Sequence, residues 1–413
     1  MIKFGIIQNY LYFCQRNNTF YSFMMRICFV VDSIFSIGGV QRVTAVIAKE
    51  LAKDNDVSII TFDKPELEDT TLYNLKEASI TYRFFRYPEI NKLKSYLCKA
   101  YSGLYLKLQP QCKWCSDLYA HSSYPSELQN ALLAELKQGQ YDVIIGVHAP
   151  LAARLATIKK HLPRTKCIGW LHNSYEALFG EKSHYFIGAK RRRHYIYQFR
   201  KLDNVVLLCN HDANSYYDYD SKFKPTVIYN PLTLVPAETS NGTSKRFLAV
   251  GRFSHKHKGF DLLIKAFCIF AKNNKDWNLD IVGEGPEEKL YRELIIGNNM
   301  EERITIHPFT NNIQPYYSNA QIYVLSSRWE GFGLVLIEAM AHGLPVISSD
   351  LPTSKEIMGD FGMYFENGNI EELAQKLEEA THIDWQAKSK EALTIAQRFD
   401  IENIIKQWKE LIE

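Results

Sequence analysis

Two glutamates eight residues apart, Glu330 and Glu338, occupy the segment Ser326-Ser327-Arg328-Trp329-Glu330-Gly331-Phe332-Gly333-Leu334-Val335-Leu336-Ile337-Glu338-Ala339-Met340-Ala341. If this is a strand-to-helix turn, eight residues at about 100° each bring Glu338 to roughly 80° from Glu330, so both face one cleft lip. Gly331 and Gly333 let the backbone approach a ligand closely and expose amides at the helix start. A helix cap plus an exposed glutamate is the competing reading. It suits Glu338 poorly, because Leu336, Ile337, Ala339 and Met340 flank it and a carboxylate on such a segment needs a partner. Sugar hydroxyls would serve.

A second group is basic. Gly251-Arg252-Phe253-Ser254-His255-Lys256-His257-Lys258-Gly259 follows a predicted strand and opens a predicted helix. A glycine turn with Arg252 and Lys258 at a helix start can hold a diphosphate through fixed cations, free amide hydrogens and the helix dipole. A solvated basic loop is the alternative. In the first half of the chain, Gly38-Gly39-Val40-Gln41-Arg42 lies between a strand and a helix, and Gly169-Trp170-Leu171-His172-Asn173 follows another strand.

Together these motifs resemble the family 4 glycosyltransferases, retaining nucleotide-sugar enzymes of the two-Rossmann GT-B fold, of the bacterial surface-polysaccharide type. The resemblance covers roughly Met25 to the carboxyl end. It implies that Arg252 and Lys258 bind the donor diphosphate and that Glu330 holds hydroxyls of the donor sugar. The amides of Phe332, Gly333 and Leu334 would lie near sugar and phosphate, and Glu338 would take the ribose hydroxyls. Gly39 would approach the donor phosphate, Gly283 of Gly283-Glu284-Gly285-Pro286 would belong to a nucleotide-side loop, and His172 would lie beside the reacting sugar. Two features depart from the family. Six steps separate Arg252 from Lys258 where five are common, so Lys256 competes for the lysine's role, and Pro352-Thr353-Ser354-Lys355-Glu356 stands where relatives often carry glycine.

The implied reaction is retaining transfer of a hexose or N-acetylhexosamine from a nucleotide diphosphate sugar, by default a UDP-sugar. The acceptor would be a hydroxyl of a saccharide or lipid-linked saccharide in surface polysaccharide or lipopolysaccharide assembly. The cationic pair and helix dipoles can stabilise the leaving diphosphate, so no divalent metal or other cofactor is expected. A nucleotide-sugar epimerase of the same fold and a degenerate nucleotide-sugar-binding module are the rival readings.

Positioning such groups takes sizeable cores. The chain has 413 residues, 46% apolar and 23% charged, which fits about two to three packed domains and excludes disordered and fibrous classes. A formal charge of +3 is far from that of a dedicated nucleic-acid binder. Short Val/Ile/Phe-rich runs at 26–31, 57–62, 79–84, 141–147, 166–170 and 205–209 read as strands buried on both faces. Helical periodicity over 39–53 and 149–161 alternates with them. The alternation restarts with strands at 246–251, 278–283, 303–307, 321–325 and 345–348, and helices near 258–273, 286–297, 331–342 and 369–380. The fold class is therefore α/β, two doubly wound domains facing across a cleft. The expected boundaries are an amino-terminal extension at 1–24, which precedes Met25 and could reflect a mis-chosen start, an acceptor-side domain at 25–230, a polar linker at 231–245, a nucleotide-sugar-binding domain at 246–385, and helices at 386–413 packing back toward the first domain.

Eight cysteines are scattered, and buried thiols are expected rather than a disulfide framework or a zinc site at Cys112 and Cys115. No apolar run reaches the roughly 18 residues of a membrane span, and the amino end lacks a secretory pattern, so the chain reads as cytoplasmic. The aromatic stretch 84–130 offers ring faces to a saccharide or lipid-linked acceptor, with core packing as its alternative. Residues 190–201, basic and aromatic, fit peripheral contact with anionic headgroups, with a solvated helix face as the dull alternative.

Overall fold

The computed structural model describes residues 24–110, 112–180, 187–253 and 257–413. The expectation for 1–24 therefore falls outside the described residues, save for Met24, and so does Lys256. Two parallel sheets form the framework. The first has seven strands: β1 (Arg26–Val31), β2 (Asp56–Thr61), β3 (Ile80–Phe84), β4 (Val143–Val147), β5 (Lys166–Trp170), β6 (Asn204–Leu207) and β7 (Thr226–Val227). Their spatial order is β3-β2-β1-β4-β5-β6-β7. The second has β8 (Arg246–Val250), β9 (Asn278–Val282), β10 (Ile304–His307), β11 (Ile322–Leu325), β12 (Val346–Ser349) and β13 (Met363–Phe365), in the order β10-β9-β8-β11-β12-β13.

The strand sequences explain the buried arrangement. Every residue of β4, Val-Ile-Ile-Gly-Val, is buried, as are all but the first of β1 and β2. Strands covered on both faces carry continuous apolar runs, and helices supply the cover. In each sheet the strand order reverses beside its first strand, so loops at the carboxyl ends of β1 and β4, and of β8 and β11, border a crevice. Nothing between Val227 and Arg246 is helix or strand. The last helix, Ile401–Ile412, returns to the first sheet's side. Trp408 packs edge-on against Trp170 at a centroid separation of 4.7 Å, and Lys409 pairs with Asp54.

Several expectations change. The short strands β7 and β13 and the helices Lys92–Leu108, Lys113–Ser123, Ser126–Gly139 and Asn210–Tyr219 were not anticipated. The helix expected over 331–342 spans Leu334–Ala341, because Gly333 has φ +91° and breaks the helical path before it. The reckoning of about 80° between Glu330 and Glu338 assumed helix throughout and does not apply. Cys112 and Cys115 form a disulfide, whereas Cys28, Cys167 and Cys209 are buried thiols. Cys112 caps the helix Lys113–Ser123, and one turn of helix brings Cys115 to a Cα separation of 5.4 Å, within disulfide reach.

Candidate functional site

Glu330 follows β11 in the loop that leads to the helix Leu334–Ala341. It is buried, and its carboxylate accepts from Lys258 Nζ at 2.6 Å and from the Ser327 hydroxyl at 2.6 Å. Burial alone would raise the carboxyl's pKa, but Lys258, His257 and the Ser327 hydroxyl outweigh it and hold the group below the ordinary glutamate value. Lys258 is positioned by a tight turn. Gly259 has φ +64°, and a Cβ there would lie 1.9 Å from the Ser326 carbonyl oxygen, so only glycine lets the two loops touch. His257 Nε2 donates to the Trp329 carbonyl at 2.6 Å, and its ring stacks on that of Trp329 at 4.8 Å.

Glu338 lies on that helix, Leu334–Ala341, and is 2% exposed. Its partners are Arg42, from the first helix of the first half, and the Tyr317 hydroxyl at 3.1 Å. Tyr323 on β11, fully buried, senses both carboxylates: burial first and then Glu330, with a smaller push from Glu338, drive its hydroxyl well above the ordinary tyrosine value. The structure thus brings Glu330 and Glu338 to one buried neighbourhood but gives each its own cation.

The first half meets this surface directly. A Cβ on Gly331 would lie 2.3 Å from the carbonyl oxygen of His172, and one on Gly39 would lie 3.3 Å from a methyl of Leu334. His172 is buried against Trp170 at 4.3 Å and His148 at 5.5 Å. Burial, with His148 adding to it, holds its imidazole well below the ordinary histidine value. Its Nε2 has no hydrogen-bond partner among the described residues. The loop carrying Gly38 and Gly39 is anchored by the Tyr73 hydroxyl, which accepts from the Gly38 amide at 2.9 Å and donates to the Ser36 carbonyl at 2.8 Å.

The remaining expected residues fall around this centre. Arg252 is exposed in the loop after β8. Gly283 has φ +157°, and its Cα faces the Gly251 carbonyl so closely that a Cβ would lie 2.0 Å away. This packs the loops after β8 and β9 together. Phe332 turns its ring into the core against Tyr229 and Phe399, which leaves its amide at the turn before the helix. Gly333 precedes Leu334, the first helical residue. Glu356, in the segment that departs from the family, accepts from the amides of Asn210 at 2.7 Å and His211 at 3.0 Å. A carboxylate at the amino end of the helix Asn210–Tyr219 complements its dipole and ties the second half to the first.

Sequence reading missed Arg42, Tyr317, Ser327, His148 and Tyr323 as members of the site. Arg42 was visible beside Gly39, but its partner lies 296 residues away in sequence. His148 has φ +74°, rare for a non-glycine residue, immediately beside His172. Two Asp-x-Asp triplets, a spacing able to set two carboxylates on one ion, also escaped notice, at Asp54-Asn55-Asp56 and Asp218-Tyr219-Asp220. Asp54, Asp56 and Asp220 are paired with Lys409, Arg26 and Arg200. Most of the aromatic stretch is packed rather than displayed. Phe85, Tyr87 and Tyr124 form a cluster, and Tyr105 stacks on Tyr119 at 4.3 Å. In 190–201, Arg191 donates to the Tyr119 hydroxyl, Arg192 lies over the Tyr219 ring, and Arg200 and Lys201 pair with Asp220 and Asp117, leaving Lys190 and Arg193 exposed.

Two parallel-sheet halves that meet through glycine loops and buried carboxylates at their carboxyl edges define the GT-B class of glycosyltransferase. Residues 37–234 match the model "Glycosyltransferase Family 4" and residues 233–398 match "Glycosyl transferases group 1". The chain belongs to this family of glycosyltransferases. It is 30% identical to an uncharacterized glycosyltransferase of Haemophilus influenzae, across 94% of this chain and 100% of that one. It is 25% identical to the amylovoran biosynthesis glycosyltransferase AmsD of Erwinia amylovora, again over 94% and 100%. Among solved structures, Anabaena Alr3699/HepE in complex with UDP superposes with a TM-score of 0.72 at 20% identity, covering 94% of this chain and 99% of that one. The lipopolysaccharide outer core galactosyltransferase WaaB gives 0.63 at 17%, with the same coverage.

Proposed function

We propose that this chain transfers a hexose or N-acetylhexosamine, with retention of anomeric configuration, from a UDP-sugar to a hydroxyl of a saccharide or lipid-linked saccharide in surface polysaccharide or lipopolysaccharide assembly. The observation that carries the reading is the approach of Gly331 to the His172 carbonyl, which sets the motif of the second half against that of the first. Support also comes from relatives named for amylovoran biosynthesis and for the lipopolysaccharide outer core, and from a neighbour solved with UDP.

The chemistry follows from the residues. Arg252 and Lys258 receive the diphosphate, and as Lys258 turns to it Glu330 is freed to accept from hydroxyls of the donor sugar. Glu338, released in the same way from Arg42, accepts from the ribose hydroxyls. Neutral His172 offers its unpartnered Nε2 to the sugar, and amides at Phe332, Gly333 and Leu334 add the positive end of the helix dipole. The bond from the anomeric carbon to the phosphate oxygen breaks, and the acceptor oxygen bonds on the same face. The acceptor's proton passes to the departing phosphate oxygen. Closure of the two halves excludes water.

The test is reaction with a UDP-sugar panel and saccharide primers, with the product read by proton NMR. A linkage that keeps the donor's anomeric configuration supports the proposal. An inverted linkage, or epimerised donor formed without acceptor, overturns it.

A further inference from the structure

The helix Lys92–Leu108 follows β3 and carries an apolar face that no other described residue covers. Leu93, Leu97, Leu104 and Leu108 are separated by four, seven and four residues, so they line one face, with Tyr96 at its edge. Leu93 is 69% exposed and Tyr96 70%, and Leu97, Leu104 and Leu108 are exposed as well. Trp114, at the start of the neighbouring helix Lys113–Ser123, is 71% exposed and adds an aromatic ring. The opposite side of the hairpin is packed: Tyr105 and Tyr119 stack on each other and meet His194 of the helix Ala189–Phe199 edge-on.

Charge decides the partner. Residues 92–116 contain Lys92, Lys94, Lys99, Lys107 and Lys113 and no acidic residue. Only Lys94 is committed to a carboxylate in the ion pairs found among the described residues, with Glu127 at 2.6 Å. Exposed Lys190 and Arg193 continue the basic surface on the helix beneath. A second copy of this face would set lysines against lysines. An anionic bilayer matches both features, because Leu, Tyr and Trp side chains enter the boundary between headgroups and acyl chains while lysine stems reach outward to phosphates. Among the described residues no helix is long and apolar enough to cross a membrane, so the contact is peripheral.

We propose that this chain docks on an anionic lipid bilayer through the exposed faces of the helices Lys92–Leu108 and Lys113–Ser123. The dock does not rest on the transfer reaction. Where that reaction holds, the dock brings the cleft to a lipid-linked acceptor.

The experiment is co-sedimentation of the full chain with vesicles of equimolar phosphatidylcholine and phosphatidylglycerol, against vesicles of phosphatidylcholine alone. The wild type is expected to sediment with the anionic vesicles and much less with the neutral ones. Leu97→Ser with Leu104→Ser, both at exposed positions, should lower the partition coefficient by about tenfold or more at unchanged melting temperature. Replacing Lys92, Lys99, Lys107 and Lys113 by Gln should weaken binding and flatten its salt dependence. Absence of binding, binding unchanged in both variants, or a wild-type dimer that the serine variant dissolves would overturn the proposal. UDP binding by the same variants is measured alongside, so failure of the dock and failure of the transferase reading are seen separately.

Discussion

Arg42 and Glu338 form an ion pair between the two halves of the molecule. Glu338 is buried and Arg42 about a quarter exposed, so the carboxylate depends on that cation and on the Tyr317 hydroxyl. Arg42→Ala leaves the carboxylate with one neutral donor. Allowing for the exposure of the arginine, the expected loss is about 2 kcal/mol, read by urea unfolding. Arg42→Lys should recover part of it. No change in midpoint for Arg42→Ala would mean the pair contributes nothing to holding the halves together.

Lys258 and Arg252 should separate stability from binding. Lys258→Ala strands the buried Glu330 and is expected to cost about 2–3 kcal/mol as well as donor affinity. Arg252 is exposed, so Arg252→Ala should leave the melting temperature within error while donor binding falls. Equal destabilisation by both substitutions would contradict the arrangement described.

Gly331→Ala tests the contact between the halves. The added methyl would lie 2.3 Å from the His172 carbonyl oxygen, and neither backbone can yield without moving its loop. Expected are a cost of about 1–3 kcal/mol and a fall in kcat/KM larger than that of Gly297→Ala, where a Cβ meets open space. A fully active Gly331→Ala enzyme would show that the halves do not need this approach.

Acid should destabilise the protein early. His194 is buried beside Tyr119 and donates to or accepts at the Ser116 hydroxyl. Its value is pushed down to about 3 by burial first and by Lys201. A depressed histidine contributes stability that is complete above the unfolded value of 6.5 and is lost as pH falls from there toward the folded value, because only the unfolded chain takes up the proton. At pH 5 this one residue should have lost about 2 kcal/mol. His172 acts in the same direction. Chemical denaturation between pH 7 and pH 5 checks it, and a stability that stays level would count against neutral, buried histidines.

Much of the fold was legible because parallel strands covered on both faces print continuous apolar runs, as in β1 and β4. The short edge strands β7 and β13 carry too few residues to do so. In the hairpin 92–123 it is the exposure that the sequence does not show: Leu93, Leu97, Leu104 and Leu108 have the spacing of a core-facing stripe, yet the structure turns them to solvent. At the site, glycine turns and carboxylates were readable because they are local. Partners brought from far along the chain, such as Arg42 for Glu338 and Glu356 for the Asn210 amide, leave no spacing to read. The basic run 190–201 looked free for the same reason, since Tyr119 and Asp117, which engage its Arg191 and Lys201, lie 72 and 84 residues earlier.

On the proposed function, the crevice between the two halves binds a nucleotide sugar through the loops that carry Arg252 and Glu330. Calorimetric titration of the full chain with UDP-sugars and GDP-sugars, beside Arg252→Ala, tests it most directly. The expected result is saturable binding of a UDP-sugar that Arg252→Ala abolishes or weakens by at least about tenfold, with the fold intact. Binding that survives Arg252→Ala unchanged, or no binding of any sugar nucleotide by folded protein, would contradict it.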